Sequence, residues 1–69
     1  MKAQYIGLMP CGGFQKGKEY YIRSNVQVVS VPFASFYRPA MCICIYDENS
    51  SNWWYYKNIE EVLVNWKFN

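Results

Sequence analysis

Alternation of residues with a period of two is the feature that most limits how this chain can fold. Residues 41–46 show it most clearly, because Met41, Ile43 and Ile45 would share one side of an extended strand. β-branched and aromatic residues dominate such segments, whereas Ala and Leu, which favour helices, occur only five times in 69 residues. The pattern therefore predicts an all-β fold with one short helical turn, in a single domain covering residues 1–69.

Glycine, proline and small polar residues divide the chain into predicted strands. The predicted strands are residues 2–8, 19–23, 26–31, 41–46, 53–57 and 62–68. Residues 24–25 predict a turn between the second and third strands. A proline at each end predicts that residues 32–39 form an ordered loop, because proline cannot donate to a central strand.

The remaining connections carry turn and capping residues. Residues 9–13 contain Pro and two Gly and predict a long loop, after which Phe14 points back to the core. Asn58 followed by Glu61 predicts the N-terminal cap of the helical turn. Five to six antiparallel strands must bury one face and protect their edges, and a small closed β-barrel does both.

Composition limits the classes of function. Aromatic residues make up 20% of the chain and charged residues 17%, which is the reverse of a disordered sequence. No histidine is present, so the common ways of activating a serine or cysteine nucleophile are missing. We expect no enzymatic activity and no catalytic residue.

The cysteines do not form a recognisable framework. Cys11, Cys42 and Cys44 are odd in number, and three thiols without histidine fall short of the four ligands of a structural zinc site. We expect Cys42 and Cys44 to pack as small apolar residues, and we expect no metal and no cofactor. The longest apolar run, residues 40–46, is too short to cross a bilayer, and no signal-like segment is seen, so we expect a cytoplasmic protein that is not in a membrane.

The order of predicted elements resembles that of SH3-like small β-barrels, which have a long first loop and a one-turn helix before the last strand. Residues 2–7 (KAQYIG) and 14–22 (FQKGKEYYI) look like the opening of short SH3-like proteins encoded by bacteriophages and prophages. Residues 46–48 (YDE) and the aromatic residues 53–56 fit the hairpin of the same proteins. The loop at residues 32–39 departs from them, since many have only a short turn there. The resemblance implies a five- to six-stranded SH3-like barrel.

Aromatic side chains are the main indication of function. In residues 53–56 (WWYY) alternate side chains point to opposite faces of a strand, so the rings do not all share one core. Exposed aromatic residues beside arginine are typical of the residues that dominate protein interfaces. We predict a partner-binding surface formed by Phe33, Phe36, Tyr37, Arg38, Trp53 and Tyr55. The resemblance implies that this surface lies between the loops at residues 9–17 and 32–39.

A protein is the predicted partner, and the phage resemblance implies a host protein such as a defence or regulatory enzyme. Two alternatives stay open. Lys16, Lys18 and Arg23, with the exposed rings, would suit single-stranded nucleic acid, although a net charge of +2 neither supports nor excludes it. Pairing of edge strands would instead give a structural homodimer, so the chain is expected to be a monomer or a homodimer.

Overall fold

Five antiparallel strands and one short helix make up the chain. A computed structural model describes all 69 residues, Met1–Asn69. The elements in chain order are β1 (Lys2–Tyr5), β2 (Glu19–Phe33), β3 (Phe36–Asp47), β4 (Trp53–Tyr56), α1 (Ile59–Asn65) and β5 (Trp66–Phe68). They form one sheet in the order β4-β3-β2-β1-β5. The predicted all-β class with five antiparallel strands is confirmed. β4 and β5 remain separate edges, so the sheet does not close into the predicted barrel and has no sixth strand.

One long hairpin, formed by β2 and β3, replaces several shorter predicted elements. The two strands pair without interruption from Ile22 opposite Asp47 to Phe33 opposite Phe36. The predictions of a turn at residues 24–25 and of a loop at residues 32–39 are therefore wrong. The register is constant along the hairpin, so β2 contains no bulge, although the apolar residues Val28 and Val29 follow each other directly in the sequence.

The two prolines that predicted a loop occupy strand positions where no cross-strand N–H is required. The N–H of Ile22 donates to the Met1 carbonyl oxygen at 2.7 Å, so the even-numbered residues of β2 direct their backbone groups away from β3. Pro32 is one of these residues. Ser30 is another such residue, and Pro39 lies opposite it. The backbone nitrogen of Pro39 therefore also points away from its partner strand. Neither proline removes a β2–β3 hydrogen bond, and the hairpin continues past both.

Beyond the body of the sheet, the hairpin continues as a two-stranded arm. β1 pairs only with Glu19–Tyr21 of β2, and β4 pairs only with Ile43–Tyr46 of β3. Residues 27–42, which we call the arm, therefore have no strand on either outer edge. The molecule measures 35 × 22 × 21 Å, in keeping with an arm that extends from a small body.

The core of the body is built around Trp66. The Phe14 ring packs 4.8 Å from the Trp66 ring and the Tyr5 ring 5.2 Å from it, in edge-to-face arrangements. Phe14 is fully buried, as predicted for a residue that returns from the long loop. The Trp66 indole Nε1–H donates to the Tyr56 hydroxyl at 2.9 Å, and both side chains are buried. Burial raises the pKa of Tyr56 to about 12.

The segment after β4 forms a helix that is longer than predicted. Asn58 Oδ1 accepts a hydrogen bond from the Glu61 N–H at 2.9 Å, which confirms the predicted N-cap. The predicted strand over residues 62–68 is wrong in its first half, because α1 continues to residue 65. Val62 is buried whereas Val64 is exposed, so the two do not share a face as they would in a strand.

The turn between β3 and β4 is held by the carboxylate of Asp47. Its Oδ1 accepts from the Ser51 N–H at 2.9 Å, and its Oδ2 accepts from Asn52 Nδ2 at 2.9 Å and from Ser51 Oγ at 3.1 Å. Burial alone would raise the pKa of Asp47, but the hydrogen bonds from Asn52 and Ser51 outweigh it and lower that pKa. A single carboxylate at the end of β3 therefore fixes the turn over residues 48–52.

Candidate partner-binding surface

Three of the predicted binding residues meet at the end of the arm. The Arg38 guanidinium carbon lies 4.2 Å from the centre of the Phe33 ring, and the Phe33 and Phe36 rings meet edge to face at 5.4 Å. Phe33 is 46% exposed and Phe36 is 54% exposed. We call Phe33, Phe36 and Arg38 the tip cluster. Its rings contact one another and the arginine, not the core.

The turn that joins the strands fixes the tip cluster. Phe33 and Phe36 form the closing pair of a two-residue loop, Ala34-Ser35. Ala34 has φ 54°, in the left-handed region that two-residue hairpin loops require and that glycine adopts more easily. A non-glycine residue there costs about 1 kcal/mol. The strained turn places the two phenylalanine rings side by side.

Tyr37 lies on the opposite face from the tip cluster. Side chains alternate along a strand, so Tyr37 points away from Phe36 and Arg38. It is 70% exposed and shares its face with Val26, Val28 and Met41, each more than 60% exposed. We call Val26, Val28, Tyr37 and Met41 the apolar face of the hairpin. The sequence predicted Tyr37 as a binding residue, but the structure does not bring it to the tip cluster.

A second aromatic and cationic group lies where the hairpin joins the body. The Arg23 guanidinium carbon is 5.0 Å from the centre of the Tyr46 ring, and the Tyr46 and Trp53 rings stack at 5.9 Å. Gln27 Nε2 donates to the Tyr46 hydroxyl at 2.7 Å, and Arg23 donates to the Ser50 hydroxyl. We call Arg23, Tyr46 and Trp53 the base cluster. Tyr46 is not evident from the sequence, because only the register of β2, β3 and β4 shows that it lies between Arg23 and Trp53.

The tip and base clusters share one face of the sheet but are far apart. Tyr55, another predicted residue, lies on this same face between them, opposite Cys44. Tyr46 lies ten positions along β3 from Phe36, which corresponds to roughly 33 Å of strand. A small ligand could not contact both clusters, whereas an extended partner could.

This shared face is positively charged. It carries Arg23, Arg38 and Lys57, and its one strand carboxylate, Glu19 at the start of β2, is paired with Lys2 Nζ at 3.5 Å. Lys57 and Arg38 line one shallow depression together with Phe33. We call this side of β2, β3 and β4 the basic face.

The predicted groove between two loops is not formed. Residues 9–17 precede β2, and the hairpin turn follows it, so they lie at opposite ends of a 15-residue strand. The first loop instead contacts β4, where the Trp53 N–H donates to the Gly12 carbonyl oxygen at 3.2 Å. Lys16 in this loop and Lys18 just after it both precede β2, outside the basic face. They are thus separated from the tip cluster.

Cys42 and Cys44 point to the basic face but are buried there, while Cys11 in the first loop is half-buried; all three are free thiols. Burial raises the pKa of the Cys44 thiol, which makes it a poor nucleophile at neutral pH. No group of three or more His, Cys, Asp or Glu side chains lies close enough to hold a metal ion.

Among known proteins, the chain matches no protein-family model, no curated protein and no solved structure. The structure contains no helix whose length and apolar content would let it cross a bilayer.

Proposed function

We propose that this chain is a non-catalytic binding module whose arm engages a protein partner through the tip cluster. The observation that carries the proposal is the half-exposed pair Phe33 and Phe36, at the end of an arm that no other strand covers. Aromatic residues and arginine are the side chains that most often dominate protein interfaces. The sequence resemblance to phage-encoded SH3-like proteins favours a host protein, such as a defence or regulatory enzyme, as this partner.

The tip cluster is organised before a partner arrives. Arg38 lies against the Phe33 ring at 4.2 Å, so part of the conformational freedom of its long side chain is already lost. The two-residue turn fixes the relative positions of the rings on either side of it. Preorganisation of this kind lowers the entropy cost of binding.

The two faces of the arm allow a matched test. A double variant, Phe36→Ala with Arg38→Ala, removes two members of the tip cluster, whereas Tyr37→Ala removes an exposed ring from the opposite face. Tagged wild type and variants are used to capture proteins from bacterial lysate, and each captured protein is quantified by mass spectrometry.

We expect the double variant to lose about tenfold or more of a captured protein, since two interface anchors contribute well over 1.4 kcal/mol. Tyr37→Ala should retain that protein. Equal capture by wild type and the double variant would contradict the proposal. Unchanged circular dichroism of each variant is the folding control, because none of the three substituted positions belongs to the core.

The basic face favours single-stranded nucleic acid as a second candidate ligand. Its three cations, Arg23, Arg38 and Lys57, lie on the same face as the rings of Trp53 and Tyr55. In proteins that bind single strands, aromatic rings stack on the bases while cationic side chains contact the phosphates. Fluorescence anisotropy of a labelled oligothymidylate measures the binding affinity at each salt concentration. If all three cations contact phosphates, log affinity should fall with log salt with a slope of about −2. No binding even at low salt would exclude this candidate and leave the protein-binding proposal intact.

A further inference from the structure

The outer edge of β2 between Ser24 and Ser30 is open. Even-numbered residues of β2 direct their N–H and C=O groups away from β3, as the bonds between Ile22 and Met1 show. At Ile22 these groups are taken by Met1, and β1 runs beside the preceding residues. From Ser24 to Ser30 no strand lies alongside, so the backbone groups of four alternate residues have no partner in the chain.

The other edges of the sheet are short or protected. On the opposite edge of the arm, Pro39 interrupts the row of outward N–H groups of β3. β4 and β5, the two outer strands, are four and three residues long. Proline and charged side chains usually prevent edge-to-edge pairing of strands. Residues 24–30 (SNVQVVS) contain neither. This segment is thus the edge of the molecule best able to accept another strand.

The residues that would make the contacts read the same in both directions. Around Gln27 the outward-bonding residues are Ser24, Val26, Val28 and Ser30. Two antiparallel copies centred on Gln27 would place each serine opposite a serine and each valine opposite a valine. A symmetric dimer requires this kind of self-complementary surface.

We propose that a second copy of this chain pairs with β2 in antiparallel fashion, with the two-fold axis at Gln27. Ser24 of each copy then bonds Ser30 of the other, and Val26 bonds Val28. Four such pairs, each with two hydrogen bonds, give about eight hydrogen bonds across the axis. The two sheets become one continuous sheet.

Side chains on the apolar face support the same pairing. Val26 and Val28 are both 61% exposed, and their neighbours on β3 are Ile43 and Met41. Because the axis is perpendicular to the sheet, both copies present this face on the same side. The four valines become adjacent across the axis, flanked on each side by the β3 residues, so apolar surface that is exposed in one chain becomes partly covered.

The pairing has a defined end at each side. The register would bring Pro32 of one copy level with Ile22 of the other, but Pro32 has no N–H and Ile22 is already bonded by Met1. The ladder therefore stops at Ser24 and Ser30. An apolar groove of about 180 Å³, lined by residues that include Met1, Ile22 and Ser24, opens at this level. This groove offers apolar surface to the arm of the second copy. That arm must bend away from β1, because Met1 already occupies the position beside Ile22.

The dimer uses the open edge of β2, and the proposed protein-binding site uses the tip cluster. Residues 24–30 contain no member of the tip cluster, so the two proposals can fail independently. Loss of self-association would leave capture by the tip cluster testable in a monomer.

Sedimentation equilibrium of the full chain over a range of concentrations tests the dimer. We expect wild type to dimerise and Val28→Pro to dissociate at least about tenfold more readily, because proline removes an outward N–H without touching the β2–β3 ladder. Val26→Lys should have a similar effect by placing two charges near the axis. The control, Leu63→Lys, adds the same charge at an exposed position of α1 and should dimerise like wild type. A wild-type chain that is monomeric at every concentration, or a dimer unchanged by Val28→Pro, would overturn the proposal.

Disulfide trapping tests the register. Two variants in a Cys11→Ser background, Val26→Cys and Val28→Cys, are oxidised separately and as a mixture. The register places residue 26 directly opposite residue 28, about 5.5 Å apart between Cα atoms, within reach of a disulfide. The mixture should therefore cross-link strongly and each variant alone weakly, since identical positions lie diagonally at about 7–8 Å. Preferential cross-linking of either variant with itself would refute the register centred on Gln27.

Discussion

Replacing Tyr56 with phenylalanine removes one oxygen atom from the centre of the core. That oxygen accepts the hydrogen bond from the Trp66 indole N–H at 2.9 Å, and the two side chains are only 2% and 1% exposed. An indole nitrogen is a donor only, so no rearrangement of Trp66 itself satisfies it. The variant would leave a buried N–H without a partner.

The expected loss of stability follows from that unsatisfied group. Leaving a buried donor unpaired costs about 1–3 kcal/mol. A chain of 69 residues has a total free energy of unfolding of about 3–10 kcal/mol, so one hydrogen bond is a substantial fraction of it. With a urea dependence of about 1 kcal/mol per molar for so small a domain, the unfolding midpoint should fall by about 1–3 M.

Urea unfolding followed by tryptophan fluorescence measures this shift. Tyr55→Phe is the matched control, because it makes the same chemical change in the next residue, whose side chain lies on the basic face outside the core. We expect the control to remain within about 0.5 kcal/mol of wild type. Equal midpoints for Tyr56→Phe and Tyr55→Phe would show that the buried hydrogen bond does not stabilise the core.

Four further results are expected from the same structure. Asp47→Ala should lower the free energy of unfolding by about 1–3 kcal/mol at pH 7, and the difference from wild type should shrink as the pH falls below about 4, because the folded-state pKa of Asp47 is lowered and its contribution is lost when it protonates. Because the folded state raises the pKa of Tyr56, the neutral phenol contributes its full share of the free energy of unfolding below about pH 10 and loses it as the pH rises towards 12. Tyr56→Phe should therefore show a shallower fall of that free energy in urea titrations at alkaline pH. Ala34→Gly should relieve the left-handed strain of the turn and slow hydrogen exchange of the arm by up to about fivefold, whereas faster exchange would contradict a strained turn. Replacing residues 28–41 with Asn-Gly should leave the body folded around Trp66, as judged by its near-UV circular dichroism, while abolishing partner capture.

Local patterns predicted the parts of the fold that depend on local chemistry. The alternation in residues 41–46 lies within β3, and Asn58 caps α1 through the Glu61 N–H. Phe14 is buried although it follows a loop, since so small a core needs every large ring that the chain can direct inwards. Each of these three features is determined by residues close together in the sequence or by the apolar character of a single side chain.

The long hairpin was not predictable in the same way. Whether a proline breaks a strand depends on which way its missing N–H would point, and that depends on pairing with a distant strand. Pro32 and Pro39 both face outwards, a fact that the register supplies and the sequence does not. The prediction of a loop over residues 32–39 was therefore wrong for a physical reason, and it hid the arm.

The candidate site shows the same division. The sequence identified the aromatic and arginine residues that the arm exposes, but not which of them share a face. Tyr37 was grouped with Phe36 and Arg38 although a strand points it to the other side. Tyr46 was omitted although it lies between Arg23 and Trp53. The residue types predicted which side chains would be exposed and what chemistry they would offer. Which of them are neighbours across the sheet could be known only from the register of the strands.

The tip cluster and the open edge of β2 both require that β2 and β3 remain paired to the end of the arm. Nuclear Overhauser effects between Hα protons measure this directly, because they are strong only between non-hydrogen-bonded pairs of antiparallel strands, whose Cα atoms are about 4.5 Å apart. We expect strong Hα–Hα effects for Val28 with Met41 and for Pro32 with Tyr37. Their absence, with effects present only closer to the body, would show a disordered loop in place of the arm and would contradict both the tip cluster and the open edge.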